Sequence, residues 1–304
     1  MTSTSLRWWR LSLPLQPELE ESLLWKLDSL GLHRLAVQHA PETPQQRMLL
    51  AWLPAPEWPE DQRQQLIDSL KPLADTFGLP FPQPEWIELD DEDWSLTWKQ
   101  HWQADPVGER LLILPAWLEV PPEHVDRLVL RMDPGSAFGT GSHPTTRLCL
   151  EALEAQPPVG LQVADLGCGS GVLGLAALAL GAERVLAADT DSLAERATQE
   201  NAALNHHPPT RLAVRQGSVE TLTAMHGGQR SQLLLCNILA PVIEALAPQF
   251  TAVLAEQGRG LLSGLLVEQA PRLTAVLEDL GWSVTALGSQ GRWGLLEIRR
   301  RKAA

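Results

Sequence analysis

The run Val163-Ala-Asp165-Leu-Gly167-Cys-Gly169-Ser-Gly171 holds the residue types best placed to do chemistry in this chain. A short apolar stretch ends in an acid, three glycines follow at alternate positions, and a long apolar stretch begins directly after them. Without Cβ atoms the backbone can turn tightly and a ligand can approach its N–H groups. A helix starting at Val172 would add unpaired N–H groups and the positive end of its dipole. The combination predicts a cradle for a nucleoside-bearing cofactor at the tip of the first strand of an open α/β sheet.

Gly169-x-Gly171-x-x-Gly174 also spells the dinucleotide fingerprint, so neighbouring residues must separate the candidate cofactors. Asp189 stands 22 residues after Gly167, at the end of the next apolar run. An acid there accepts hydrogen bonds from both ribose hydroxyls, in an NAD site and in an S-adenosylmethionine site alike. Asp165 discriminates between them. Its carboxylate would repel a pyrophosphate, whereas it could hold the ammonium of a methionine moiety directly or through water. The reading therefore favours S-adenosylmethionine, with an NAD-dependent dehydrogenase as the alternative.

Asn237-Ile-Leu-Ala240 falls at the end of a later apolar run, where an open sheet presents its active site. The segment resembles the Asn-Pro-Pro-aromatic motif of amino-group methyltransferases. In that motif the Asn oxygen and the next backbone carbonyl accept the hydrogens of the target nitrogen and aim its lone pair at the methyl carbon. Asn237 is the candidate catalytic residue; the aromatic of the motif is missing here. A second glycine-rich stretch, Asp133-Pro-Gly-Ser-Ala-Phe-Gly-Thr-Gly-Ser-His-Pro-Thr-Thr146, precedes the first sheet strand and has the composition of a loop over a cofactor.

These residues need a scaffold. From Pro144 onward strands and helices alternate, which signals a parallel sheet. The expected elements are a helix at Thr145–Ala155, a strand at Gln162–Asp165, a helix at Val172–Leu180 and a strand at Arg184–Asp189. A helix at Ser192–Asn205 follows, its Ser192 and Glu195 at capping-box spacing. Strands at Arg211–Gln216, Gln232–Cys236 and Gly260–Ser263, a helix at Val267–Leu280 and a hairpin of Trp282–Leu287 with Trp293–Arg299 complete it. The first ninety residues read as a separate βαββαβ unit of ferredoxin-like type, with helices at Pro17–Leu30 and Glu60–Phe77, the latter bent at Pro72. A Trp-rich helix over Asp93–Gln103 and strands at Leu111–Leu114 and Leu128–Arg131 connect the two. The expected domains are therefore 1–90, a connecting stretch 91–132 and 133–304.

At 304 residues with 44% apolar and 20% charged content, the chain has the balance of a folded protein with sizeable cores. A net charge of −13, with 20 arginines and 4 lysines, disfavours direct nucleic-acid binding and suits a basic partner. Three dispersed cysteines without a CxxC read as reduced, intracellular residues, and the eight histidines show no metal-ligand spacing. No metal is expected. Neither a signal peptide nor a membrane span is expected, and the placement is cytoplasmic. The absence of tyrosine removes that residue from the catalytic candidates.

The Asp133–Thr146 loop, Asp165-x-Gly-Cys-Gly-Ser-Gly, Asp189-x-Asp191 and Asn237-Ile-Leu, in that order, resemble the ribosomal protein L11 methyltransferase family. The resemblance is strong from about Asp93 to Leu265. It implies a seven-stranded class I methyltransferase (Rossmann-like) sheet using S-adenosyl-L-methionine, behind a small ferredoxin-like module that grips the substrate. It also implies cofactor contacts at Thr146, Gly167, Asp189 and Asn237, beside the Asp165 and Gly169 already singled out, with Phe138 and Thr140 as further contacts. The implied substrate is ribosomal protein L11, free or on the large subunit, methylated on lysine side chains and on its N-terminal α-amine. Methylation of another protein is the alternative within the class.

Overall fold

A computed structural model describes residues 7–32, 34–40, 43–89, 102–133, 141 and 143–301. The chain divides into two units, Met1–Gln103 and Ala104–Ala304.

The first unit runs β1 (Trp8–Leu15), α1 (Pro17–Ser29), β2 (Leu35–Ala40), β3 (Thr43–Pro54), α2 (Glu60–Thr76) and β4 (Glu85–Leu89). The four strands form one antiparallel sheet in the order β2-β3-β1-β4, the expected ferredoxin-like arrangement. Alternation along β1 decides its faces. Leu11 and Leu13 point into a core shared with Leu19, Leu23 and Leu27 of α1 and Leu66, Ile67 and Leu70 of α2. Trp8 points the other way and packs with Ala36, Leu50 and Trp52, where Trp102 also lies. The Trp102 indole donates to Leu35 O at 3.2 Å, which makes it a structural residue of this unit. The Trp-rich helix expected at Asp93–Gln103 lies almost wholly outside the described residues, and Trp102 and Gln103 are not helical. Helix α2 continues through Pro72.

The second unit opens with a three-stranded sheet of β5 (Asp105–Val107), β6 (Leu111–Pro115) and β7 (Leu128–Met132). The large sheet follows: α3 (Pro144–Ala155), β8 (Gln162–Leu166), α4 (Val172–Ala179), β9 (Arg184–Asp189), α5 (Ser192–Leu204), β10 (Leu212–Gln216), α6 (Val219–His226), β11 (Ser231–Asn237), α7 (Ala240–Leu246), α8 (Phe250–Val253), β12 (Leu254–Leu266), α9 (Ala270–Asp279), β13 (Trp282–Gln290) and β14 (Trp293–Arg300). Its strand order is β10-β9-β8-β11-β12-β14-β13. Strands β10, β9, β8, β11 and β12 run parallel; β14 runs antiparallel to them, and β13, antiparallel to β14, runs in their direction again. This is the seven-stranded Rossmann-like sheet read from the sequence.

The chain goes from β8 outward through β9 to β10, then returns to the other side of β8 with β11. The carboxyl ends of β8 and β11 therefore flank the topological switch point, where open α/β sheets bind ligands. Helix α4 explains why the small sheet is present. Its residues Val172 to Leu178 are all buried and apolar, so it must be covered on every side. Strands β8 and β9 cover one face, β7 of the small sheet another, and α3 a third.

Candidate active site

The glycine turn leaves β8 at Leu166, and Gly167 N and Cys168 N both donate to Ala188 O on β9, at 2.8 and 3.3 Å. Gly171 stands at the N-cap of α4 and has no side chain to satisfy the first-turn amides. Asp165 supplies the missing acceptor from the neighbouring strand: its Oδ2 accepts from Gly174 N at 3.0 Å. Asp165 is only 1% exposed. Burial pushes its carboxyl up from the ordinary 3.8 to about 7, against the Gly174 hydrogen bond and with a smaller push from the charge of Asp189. A cationic group reaching this carboxyl would draw off its proton.

Asp189 ends β9 half-buried, and its two oxygens are both in use. Oδ2 accepts from Gly169 N at 2.9 Å and Oδ1 from Asp191 N at 3.0 Å. Burial raises its carboxyl above the usual range despite those two bonds. Each carboxylate oxygen has a second lone pair for another donor. The helix that follows differs in detail from its expected start. Asp191 rather than Ser192 caps α5, accepting from Leu193 N at 2.9 Å. Glu195 does not close a capping box; its Oε2 accepts from Gln216 N on β10 at 3.0 Å.

Asn237 is the last residue of β11, one step beyond the Cys236–Leu166 pair and so level with Gly167. Its Nδ2 donates to Thr146 Oγ1 at 3.2 Å, which turns the amide oxygen away from Thr146. Thr146 is buried in the first turn of α3. That turn is fixed by His143, whose Nδ1 accepts from Thr145 N at 3.3 Å, while Pro144 occupies the first helical position. The His143 ring meets Trp293 edge to face, with centroids 4.9 Å apart.

The strand end that carries Asn237 is wedged between two glycines. An added Cβ at Gly167 (φ 73°) would run into the Ile238 side chain, and one at Gly264 (φ 82°) into the Ile238 backbone carbonyl. Gly264 sits where the pairing of β12 with β14 slips, between Leu262 and Leu265. Ser263, beside it, accepts from Ile238 N at 3.2 Å through its carbonyl. Sequence reasoning missed this support; a lone glycine in a strand pattern is its only signal.

The structure thus gathers Asp165, Gly167, Gly169, Asp189, Asn237 and Thr146 at one edge of the sheet. Phe138 and Thr140 lie outside the described residues. Two further side chains, unremarked in the sequence, hold the glycine turn from α5: Thr198 Oγ1 donates to Gly169 O at 2.9 Å and Asn201 Nδ2 to Ser170 O at 3.0 Å. Burial, chiefly, holds the Cys168 thiol well above its usual range, so it is no nucleophile at neutral pH. Among the described residues no cluster of His, Cys, Asp and Glu could hold a metal ion, and no helix is long and apolar enough to cross a membrane.

The comparisons with known proteins agree along the length of the chain. The family model described as Ribosomal protein L11 methyltransferase (PrmA) matches residues 7–301. A protein of that name from Parasynechococcus marenigrum is 74% identical over 285 residues, covering 94% of this chain and 99% of the relative. Another, from Prochlorococcus marinus, is 66% identical over 299 residues, covering 98% and 99%. A crystal structure titled ribosomal protein L11 methylase, from Lactobacillus delbrueckii subsp. bulgaricus, superposes with a TM-score of 0.59 at 35% identity, covering 66% of this chain and all of the other.

Proposed function

This chain belongs to the ribosomal protein L11 methyltransferase family, and from that membership we propose that it transfers methyl groups from S-adenosyl-L-methionine to amines of ribosomal protein L11. The reading rests above all on one arrangement: Asp165, next to the last residue of its strand, and Asp189 and Asn237, the last of theirs, stand on three adjacent parallel strands around a glycine turn at the switch point of the sheet. The targets are lysine side chains and the N-terminal α-amine, and the reaction takes place in the cytoplasm, on L11 either free or within the large subunit.

The residues present fit the methyl donor. Asp189 would accept its ribose hydroxyls through the lone pairs left by Gly169 N and Asp191 N. Asp165, close to half-protonated at neutral pH, would meet its ammonium. Gly167 and Gly169 would let it lie against the backbone, and Thr146 and Asn237 would border it. Phe138 and Thr140 belong to the same proposal as contacts from the preceding loop. When bound, S-adenosylmethionine supplies a methyl group already activated by its sulfonium, so alignment is the main demand on the protein.

The amine must reach the site neutral. A free lysine of pKa near 10.4 is neutral in only about one molecule in 2,500 at pH 7, a cost of about 4.6 kcal/mol, against about 1.4 kcal/mol for an α-amine near pKa 8. Desolvation disfavours the ammonium and lowers that cost. Asn237 then orients the neutral amine. Its amide oxygen accepts a hydrogen without carrying a charge that would trap the ammonium, and the Thr146 bond fixes which end of the amide is presented. Proton loss to water before the amine enters completes the account, with no side chain acting as base.

Calorimetric titration tests the donor assignment. The protein should bind S-adenosylmethionine and fail to bind NAD; the reverse would return the site to the hydride-transfer alternative.

A further inference from the structure

We propose that Asn201, assisted by Thr198, is a positioning residue that sets the glycine turn in its donor-binding conformation and locks it to the end of β7; this deepens the donor assignment made above and rests on it. Thr198, Asn201 and Asn205 recur at i, i+3 and i+7 and so share one face of α5. Thr198 and Asn201 are wholly buried. An apolar residue would fill such positions at no polar cost, whereas a buried hydroxyl or amide is tolerated only when hydrogen-bonded. Here the bonds go to backbone of the site or its border, beside one longer contact of Thr198 Oγ1 with Cys168 Sγ at 3.5 Å.

Thr198 Oγ1 donates to Gly169 O at 2.9 Å, and Asn201 Nδ2 donates to Ser170 O at 3.0 Å. Two successive carbonyls of the turn are thereby directed at α5. In a trans peptide the following N–H points the opposite way, so Thr198 sets the orientation of the Gly169–Ser170 plane and Asn201 that of the Ser170–Gly171 plane. Asp189 holds the same turn from the other side, through Gly169 N. Asn201 is also bidentate between elements: its Oδ1 accepts from Asp133 N at 2.8 Å. One amide thus ties the glycine turn to the residue at which the second glycine-rich stretch begins. Asn205 has the same chemistry but a different duty. Its side chain engages Arg131 N, Arg131 O and Asn201 O, and no atom of the turn.

That difference supplies the experiment. Asn201→Asp preserves shape and the acceptor for Asp133 N, while placing an oxygen against Ser170 O. Asn205→Asp makes the same chemical change four residues on. Thr198→Val removes only a hydroxyl and keeps the volume, so it folds even if the first variant does not. Steady-state kinetics with S-adenosylmethionine and purified L11 are read beside thermal unfolding. We expect Asn201→Asp to raise the KM for the donor about tenfold or more, with kcat and the KM for L11 within about twofold of wild type. Thr198→Val should raise the donor KM about threefold, within the loss expected for one hydrogen bond. Asn205→Asp should leave the donor KM unchanged even where it lowers the melting temperature as much as Asn201→Asp does. A wild-type donor KM in Asn201→Asp and Thr198→Val would overturn the proposal, as would equal shifts in the two Asp variants that follow their loss of stability. A wild-type protein that binds no donor would instead refute the donor assignment on which both stand.

Discussion

Replacing Asp165 by Asn should stabilise the free protein and disable it at the same time. The carboxyl is buried and titrates near 7 rather than 3.8. Well below pH 3.8 it is protonated in folded and unfolded chains alike, and its full contribution to stability is present. As the pH rises the unfolded chain ionises first, so the folded state is progressively disfavoured until the folded carboxyl also ionises near 7. The gap between 3.8 and about 7, at about 1.36 kcal/mol per pH unit, gives a total loss of about 4 kcal/mol. Of that, roughly 3 kcal/mol falls between pH 5 and pH 8 by the same linkage relation. Asn carries no charge, and its amide oxygen can keep the bond to Gly174 N. Urea unfolding of both proteins without donor, from pH 5 to pH 8, reads the contribution of Asp165 together with its coupling to the charge of Asp189. The stability of Asp165→Asn relative to wild type should climb by roughly 3 kcal/mol over that range. In calorimetry the variant should bind S-adenosylmethionine about ten- to hundredfold more weakly, the worth of one charge-assisted bond. Parallel pH profiles, or undiminished donor affinity, would refute the reasoning: the first its electrostatics, the second its assignment to the ammonium.

Other perturbations separate the remaining roles. Asn237→Ala should lower kcat about a hundredfold through lost alignment of the amine, while donor affinity by calorimetry changes little. Asp189→Asn should weaken donor binding by about 1.5–3 kcal/mol, read by calorimetry. Gly264→Ala should destabilise the protein by about 1–3 kcal/mol in urea titrations and reduce kcat, because a Cβ there displaces Ile238 and with it Asn237. The second unit alone, Ala104–Ala304, should retain donor affinity and lose methylation of L11; methylation of L11 at the full-length rate would show that the first unit does not capture the substrate.

The parts of the site legible in the sequence are those where a local pattern changes character. Asp165 and Asp189 each end an apolar run, and Asn237 marks the end of β11 in the same way, so strand, turn and chemistry coincide in a few residues. The order βαββαβ was legible in the first unit because Leu11, Leu13 and the Leu19–Leu23–Leu27 stripe keep strict strand and helix periods. What escaped depends on partners distant in sequence. Strand β5 has three residues, one of them Pro106, and is a strand only because β6 pairs with it. The duties of Thr198, Asn201 and Asn205 read as an ordinary polar helix face until Gly169, Ser170 and Arg131 are placed opposite. Glu195 kept the spacing of a capping box and was drawn instead to Gln216 N. Strand β12 extends to Leu254–Leu266, well beyond the apolar core of Gly260–Ser263, because β11 and β14 pair along its length.

One measurement bears most directly on the whole account: the intact mass of purified ribosomal protein L11 after incubation with this protein and S-adenosylmethionine. The account predicts a gain in whole methyl increments that requires both enzyme and donor, located by fragmentation on lysine side chains and the N-terminal amine, and largely lost with Asn237→Ala. An unchanged L11 mass in the presence of a protein that binds the donor would contradict it.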